Sequence, residues 1–204
     1  MEYRYNERYE KLCDKYCVDT TVDIYGSLIS PYSTITISLS DFDSDKEMAF
    51  MTAYAISLDE VEDDDLSIFD IFDDIDSDQT EAGYAIEKYL EKNYDSLHNK
   101  YFEYFDGLKR CVLYIGTVYV NTEYRHNGIA QFLFENYQLI LSRYGIIPIL
   151  SAITVQPQSF EGRECTGNID DENMKTLMTD VIIKYGFFDP HVFEDDSSLF
   201  LKEL

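Results

Sequence analysis

Basic residues are scarce in this 204-residue chain: 16 Lys and Arg stand against 40 Asp and Glu, a formal charge of −24 and a sequence pI near 4.2. A broad basic face that would grip phosphate backbones is therefore excluded, and an anionic lipid surface is repelled just as strongly. Between Lys46 and Lys88 the sequence holds no base at all. Such a field attracts cations, whether amines, polyamines, aminoglycosides or basic protein segments; its minimal role is solubility. Cysteine is sparse too. Cys13, Cys17, Cys111 and Cys165 are too dispersed for a disulfide framework, and Cys13 with Cys17 lacks the second pair that a tetrahedral zinc site needs. No apolar run approaches the roughly 20 residues of a membrane span, and Met1-Glu2-Tyr3-Arg4 opens the chain without an apolar leader, so the expectation is cytoplasmic, with no membrane partner. No internal repeat is visible, and at roughly 150 residues per domain the length suits one domain over 1–204.

Core material is ample. Hydrophobic residues make up 45% of the chain, and 18 Tyr and 13 Phe exceed what a disordered acidic chain carries. Residues 1–18 suggest a short helix. Thr20–Leu28, Ser33–Leu39 and Glu47–Leu58 are rich in β-formers, with turns at Ser30-Pro31-Tyr32 and Asp41–Lys46, and fit a meander. Acidic helices are expected over about 59–93. Leu66, Phe69, Phe72 and Ile75 suggest the apolar face of the first, and Ala82, Ala85, Ile86, Tyr89 and Leu90 that of the second. Asp74, Asp76 and Asp78 match the first positions of a calcium loop, but Gln79 stands where its glycine belongs and Ala85 where its bidentate Glu belongs. No metal site is expected.

The second half is more regular. Leu108–Val120 alternates as a strand and Asn121–Tyr124 is polar; an amphipathic helix then carries Ala130, Leu133, Phe134, Tyr137, Leu141 and Tyr144. Gly145 ends it, and Ile146–Val155 is a second apolar strand entered through Pro148. A strand, a short glycine loop, a helix and a strand form a unit suited to holding an anion. The first helical amides point along the axis without partners, and the helix dipole adds partial positive charge there. Gly128 lets the backbone approach phosphate oxygens, and Arg125 adds a permanent charge. The glycines that a dinucleotide fingerprint or a P-loop requires are missing, as are a Gly-x-Ser-x-Gly elbow and a His-Glu-x-x-His helix.

Arg125-His126-Asn127-Gly128-Ile129-Ala130 resembles the pyrophosphate loop, Arg/Gln-x-x-Gly-x-Gly/Ala, of the GNAT superfamily of acetyl-CoA-dependent N-acetyltransferases. The apolar strand ending Thr117–Val120, the strand ending Ala152–Val155, the helix Met174–Tyr185 running into Gly186-Phe187, and a last strand at Leu199–Lys202 extend the likeness over 108–204. Residues 1–107 diverge, with strands first and acidic helices later. The resemblance implies an α+β fold with a mixed, largely antiparallel central sheet flanked by helices. It implies acetyl-CoA as co-substrate, no metal, a cationic amine acceptor, no direct nucleic-acid partner, and leaves homodimerisation open. Backbone groups of Val118, Tyr119 and Val120 would hold the pantetheine arm, and Arg125, His126, Asn127, Gly128, Ile129 and Ala130 the pyrophosphate. A strand amide such as that of Val120 would polarise the thioester carbonyl. Relatives often carry a proton-donating Tyr four residues before the Gly-Phe glycine; here that position is Ile182, which makes Tyr185 the candidate acid. Asn173 resembles the polar residue that opens this helix in relatives, offset by two positions. No carboxylate lies on 111–120, while Glu123, Glu161 and the acidic rim could act as base through water. The irregular Gln156–Asp171 is a lid or a connector. The alternative reading is a noncatalytic acidic interaction protein on a GNAT-like fold, able to mimic nucleic acid.

Overall fold

A computed structural model describes residues 7–26, 31–63, 66–75, 80–101, 109–155, 171–190 and 199–203. Cys165, Glu161, Asp76, Asp78, Gln79 and all but the last residue of the lid or connector over Gln156–Asp171 lie outside the described residues. The chain is α+β. Helix α1 (Glu7–Lys15) precedes a meander of β1 (Val18–Tyr25), β2 (Tyr32–Asp41) and β3 (Lys46–Ser57). Next come α2 (Leu58–Asp63), α3 (Ile68–Ile75) and α4 (Thr80–Tyr101), then β4 (Lys109–Val120), α5 (Ile129–Ser142), β5 (Ile146–Thr154), α6 (Asp171–Lys184) and β6 (Leu199–Glu203). The six strands form one sheet in chain order, antiparallel except for the β4–β5 pair that α5 connects. A parallel pair needs such a crossover, because a tight turn cannot return the chain to the same end of the sheet. Among the described residues no helix is long and apolar enough to cross a membrane.

Strand alternation divides the core between two faces. Ile35, Ile37 and Leu39 of β2, with Met51 and Ala53 of β3, meet α1, α5 and α6, where Tyr9 stacks on Phe132 with centroids 4.0 Å apart. Ile56, Val112 and Tyr114 point the other way, against Ile71 and Phe72 of α3 and Ala85, Ile86 and Leu90 of α4. The expected face of α3 needs correction. Ile68, Ile71 and Phe72 are buried, whereas Leu66 and Phe69 are 38% and 39% exposed. Steps of three drift round a helix by about 60° each, so 66, 69, 72 and 75 cannot share a stripe; 68, 71, 72 and 75 do. Tyr144, expected on the face of α5, is half exposed because the helix stops at Ser142, before Gly145 turns left-handed at φ 76°. Pro148 is accommodated inside β5 by a register shift opposite Cys111, and β6 joins β5 only from Leu150 onward.

Candidate functional site

The loop ahead of α5 is built by its own backbone and two polar side chains. Tyr124 is buried and meets Tyr16 edge-on, fixing the end of a short 3-10 turn over Thr122–Tyr124. Arg125 donates from Nε to the Val120 carbonyl at 3.0 Å, tying the loop to the end of β4. Asn127 donates from Nδ2 to the carbonyls of Tyr124 and Arg125 at 3.1 and 3.2 Å. His126 (φ 65°) and Gly128 (φ 78°) are both left-handed, a conformation glycine adopts without strain. Buried Ile129 anchors the first turn, while Ala130 is half-buried and His126 exposed.

Gly128 caps α5 without any side-chain hydrogen bond, and no acidic residue lies in the first turn. The first bond of the helix runs from Phe132 N to Gly128 O at 2.9 Å, so the amides of Ile129, Ala130 and Gln131 precede the ladder. The surrounding sequence is unlike the rest of the chain: from Tyr124 to Phe160, Arg125 and Arg143 face only one acid, Glu135. Anion-receptive geometry therefore coincides with a stretch of sequence poor in negative charge.

Beside this loop the sheet opens. The β4–β5 ladder ends at Ile115 opposite Ile153, yet β4 continues as Gly116–Val120, paired on its other edge with β3. Gly116 is the extra residue of a bulge between Thr52 and Ala53. Beyond it Val118 and Val120 pack toward α5, and Tyr119 turns to the opposite face and stacks on Phe50 with centroids 5.4 Å apart. Val118–Val120 and Arg125–Ala130 are thus neighbours, joined by the Arg125–Val120 bond.

Tyr185 lies elsewhere. Its ring stacks flat on Phe134, with centroids 5.6 Å apart and planes at 7°, about 9 Å up α5 from Gly128 at 1.5 Å per residue. Burial, then the nearby Glu135, raises the phenol pKa, so the hydroxyl stays protonated at neutral pH. Ile182 is buried in the core and Asn173 is exposed on α6. Glu123 is paired with Lys46 at the surface. One hydroxyl at the opening was not expected from the sequence: Tyr114 donates to Thr154 Oγ1 at 3.0 Å, from β4 to the last residue of β5. Its signal was only a tyrosine in an apolar strand, which core packing explains equally well. Among the described residues no group of three or more His, Cys, Asp or Glu is arranged to hold a metal. No family model, curated protein or solved structure matches the chain. Chemically, the arrangement can hold an anion at the start of α5 and an extended chain along the free edge of β4.

Proposed function

We propose that the chain is an N-acetyltransferase of the GNAT type, moving an acetyl group from acetyl-CoA to a primary amine of a cationic small molecule or a basic peptide. One observation carries this reading: β4 runs on as Gly116–Val120 after β5 has left it, beside a helix that begins with neither side-chain cap nor carboxylate. An acyl-CoA has parts that fit both, an amide-bearing arm for a strand edge and a diphosphate for a helix start. The α5 crossover between parallel strands and the antiparallel closing strand β6 support the same reading.

In this reading acetyl-CoA supplies an activated thioester carbonyl, and the chain supplies position and charge. The backbone of Val118–Val120 holds the arm, with a strand amide such as that of Val120 directed at the carbonyl oxygen. The amides of Ile129 to Gln131 hold the diphosphate, with Arg125 bracing the loop. The amine, having lost a proton to water or a carboxylate, forms the N–C bond as the C–S bond breaks. The departing sulfur takes a proton, for which protonated Tyr185 is the candidate donor, and the second proton that nitrogen sheds on becoming an amide passes to solvent, from which Tyr185 is reprotonated.

Titration calorimetry with acetyl-CoA tests this. Saturable binding is expected, and none at high micromolar concentration overturns it. Gly128→Val should abolish binding by placing a side chain at the phosphate position. The left-handed φ of 78° adds strain, so Gly128→Asn, which tolerates that conformation, serves as the milder companion. A noncatalytic acidic interaction protein on the same scaffold is favoured by buried Ile182 and the stacked ring of Tyr185. Acetyl-CoA binding without turnover across an amine panel would select it.

A further inference from the structure

Gly116 is the extra residue of the β3–β4 bulge, at a backbone conformation that does not itself demand glycine. Its φ is not left-handed, it is exposed, and an added Cβ would meet nothing nearer than Tyr54 Cε2 at 3.5 Å, an ordinary contact. Glycine inside a strand weakens it and marks a bulge or a close approach from outside; this bulge needs no left-handed residue, which leaves the close approach as the use of the bare position. The missing side chain would project toward Tyr54 and Thr52, onto the face opposite α5, at the point where β5 parts from β4.

From this point a cross-strand row leads away. Thr117 pairs with Thr52, Thr52 with Thr36, and Thr36 with Asp23 on the edge strand. At about 4.8 Å per strand the row spans about 14 Å. The three threonines are half-exposed and Asp23 is exposed. Rings flank its inner end: half-buried Tyr54 stacked with buried Tyr114 on one side, and buried Phe50 stacked with buried Tyr119 on the other. The result is a shallow trough with hydroxyls along its floor, aromatic walls at the opening and a carboxylate at the far end. The rows on either side, Tyr25–Thr34–Tyr54–Tyr114 and Thr21–Ser38–Phe50–Tyr119, contain no lysine or arginine.

We infer that this trough is the acceptor subsite and that its occupant is a linear polyamine. One terminal amine lies against the backbone at Gly116, and a distal ammonium pairs with Asp23. The assignment deepens the acyl-transfer reading and rests on it. A shallow hydroxyl-lined trough ending at a carboxylate is complementary to a thin polycation: the half-buried Tyr54 ring attracts an ammonium group, and threonine oxygens accept its hydrogen bonds. A branched or anionic acceptor would meet the walls or the carboxylate.

The test compares spermidine with n-butylamine as acceptors, following release of the CoA thiol, with acetyl-CoA affinity measured separately by calorimetry. Asp23→Lys should raise KM for spermidine about tenfold while leaving butylamine within about twofold, because the introduced charge repels only a second ammonium. Gly116→Val should lower turnover of both amines by about tenfold or more, with acetyl-CoA affinity and melting temperature close to wild type. Unchanged spermidine KM in Asp23→Lys, or wild-type turnover in Gly116→Val, overturns the subsite. A wild-type protein that binds acetyl-CoA but acetylates neither amine overturns the acceptor assignment and leaves the cofactor reading standing. A wild-type protein that binds no acetyl-CoA overturns both.

Discussion

Helices α3 and α5 lie on opposite faces of the same sheet and begin in opposite ways. At α3, Ser67 Oγ accepts from the Asp70 amide at 3.0 Å and donates to Asp70 Oδ2 at 2.6 Å, and the Phe69 amide donates to Glu87 of α4 at 3.2 Å. A hydroxyl cap, a first-turn carboxylate and a second helix together close that end. Helices α1, α2 and α4 likewise carry acids in their first turns. Helix α5 has a bare glycine and no acid, in a chain with 40 carboxylates to draw on. The glycines differ in the same sense. A Cβ on Gly83 would lie 2.8 Å from Phe72 Cβ, so the α3–α4 contact requires that glycine, whereas a Cβ on Gly116 would make only an ordinary contact, 3.5 Å from Tyr54 Cε2. The start of α3 satisfies itself; the start of α5 leaves amides for something external.

Placing a carboxylate where α5 lacks one is the strongest way to break this contrast. Ala130→Asp should reduce acetyl-CoA affinity at least about a hundredfold, because a fixed negative charge would face the diphosphate at close range. The same charge should stabilise the helix start by about 0.3–1 kcal/mol. Binding and melting temperature should therefore move in opposite directions; a parallel loss of both would mean that the helix start is structural. Alkaline pH probes the α5 face next. Burial pushes the Cys111 thiol from 9.0 up to about 12, and Tyr137, hydrogen-bonded to Ser151 beneath α5, is also raised by burial. A raised folded pKa favours the native state below the unfolded value and loses that contribution as pH climbs through the folded one. Melting temperature should thus fall between pH 9 and pH 12, and Cys111→Ala, although less stable at pH 7, should fall less steeply over that interval.

Much of this contrast is visible in the residues themselves, and the remainder is tertiary. Gly128 at the start of an amphipathic run, Gly145 at its end and the β-rich segments before residue 58 rest on local chemistry, and the structure has elements there with shifted ends. The buried face of α3 is not local: its apolar residues fit two stripes, and contact with Val112 and Tyr114 decides between them. The opening past Ile115 depends on where β5 stops pairing, a register between segments about a helix apart that no single window encodes. Gly116 has the same character, since its bulge becomes visible only when β3 is laid against β4. Tyr185 is adjacent to Gly186 in sequence, but where its ring lies is set by packing just past α6, which stacks it on Phe134.

Around α3 the expected effects are smaller and fall on stability alone. Gly83→Ala should cost about 1–2 kcal/mol: the overpacking against Phe72 exceeds the gain in helix propensity, since Phe72 is fully buried and its Cβ cannot swing aside. Ser67→Ala should cost about 1 kcal/mol, the usual value of a hydroxyl cap, and lower the melting temperature by about 2–4 °C in a chain of this size. Neither should alter acetyl-CoA affinity, because α3 and α5 are separated by the sheet. Ser67→Ala is the more searching of the two despite its smaller effect. It removes the hydroxyl cap from α3 and leaves Asp70 and the Glu87 contact to the Phe69 amide in place. If the uncapped α3 gained measurable affinity for CoA or inorganic pyrophosphate, a bare helix start would suffice to bind, and the open strand edge beside α5 would contribute nothing. No gain is expected, because Asp70 remains in the first turn and no free strand edge runs alongside to hold the rest of the ligand.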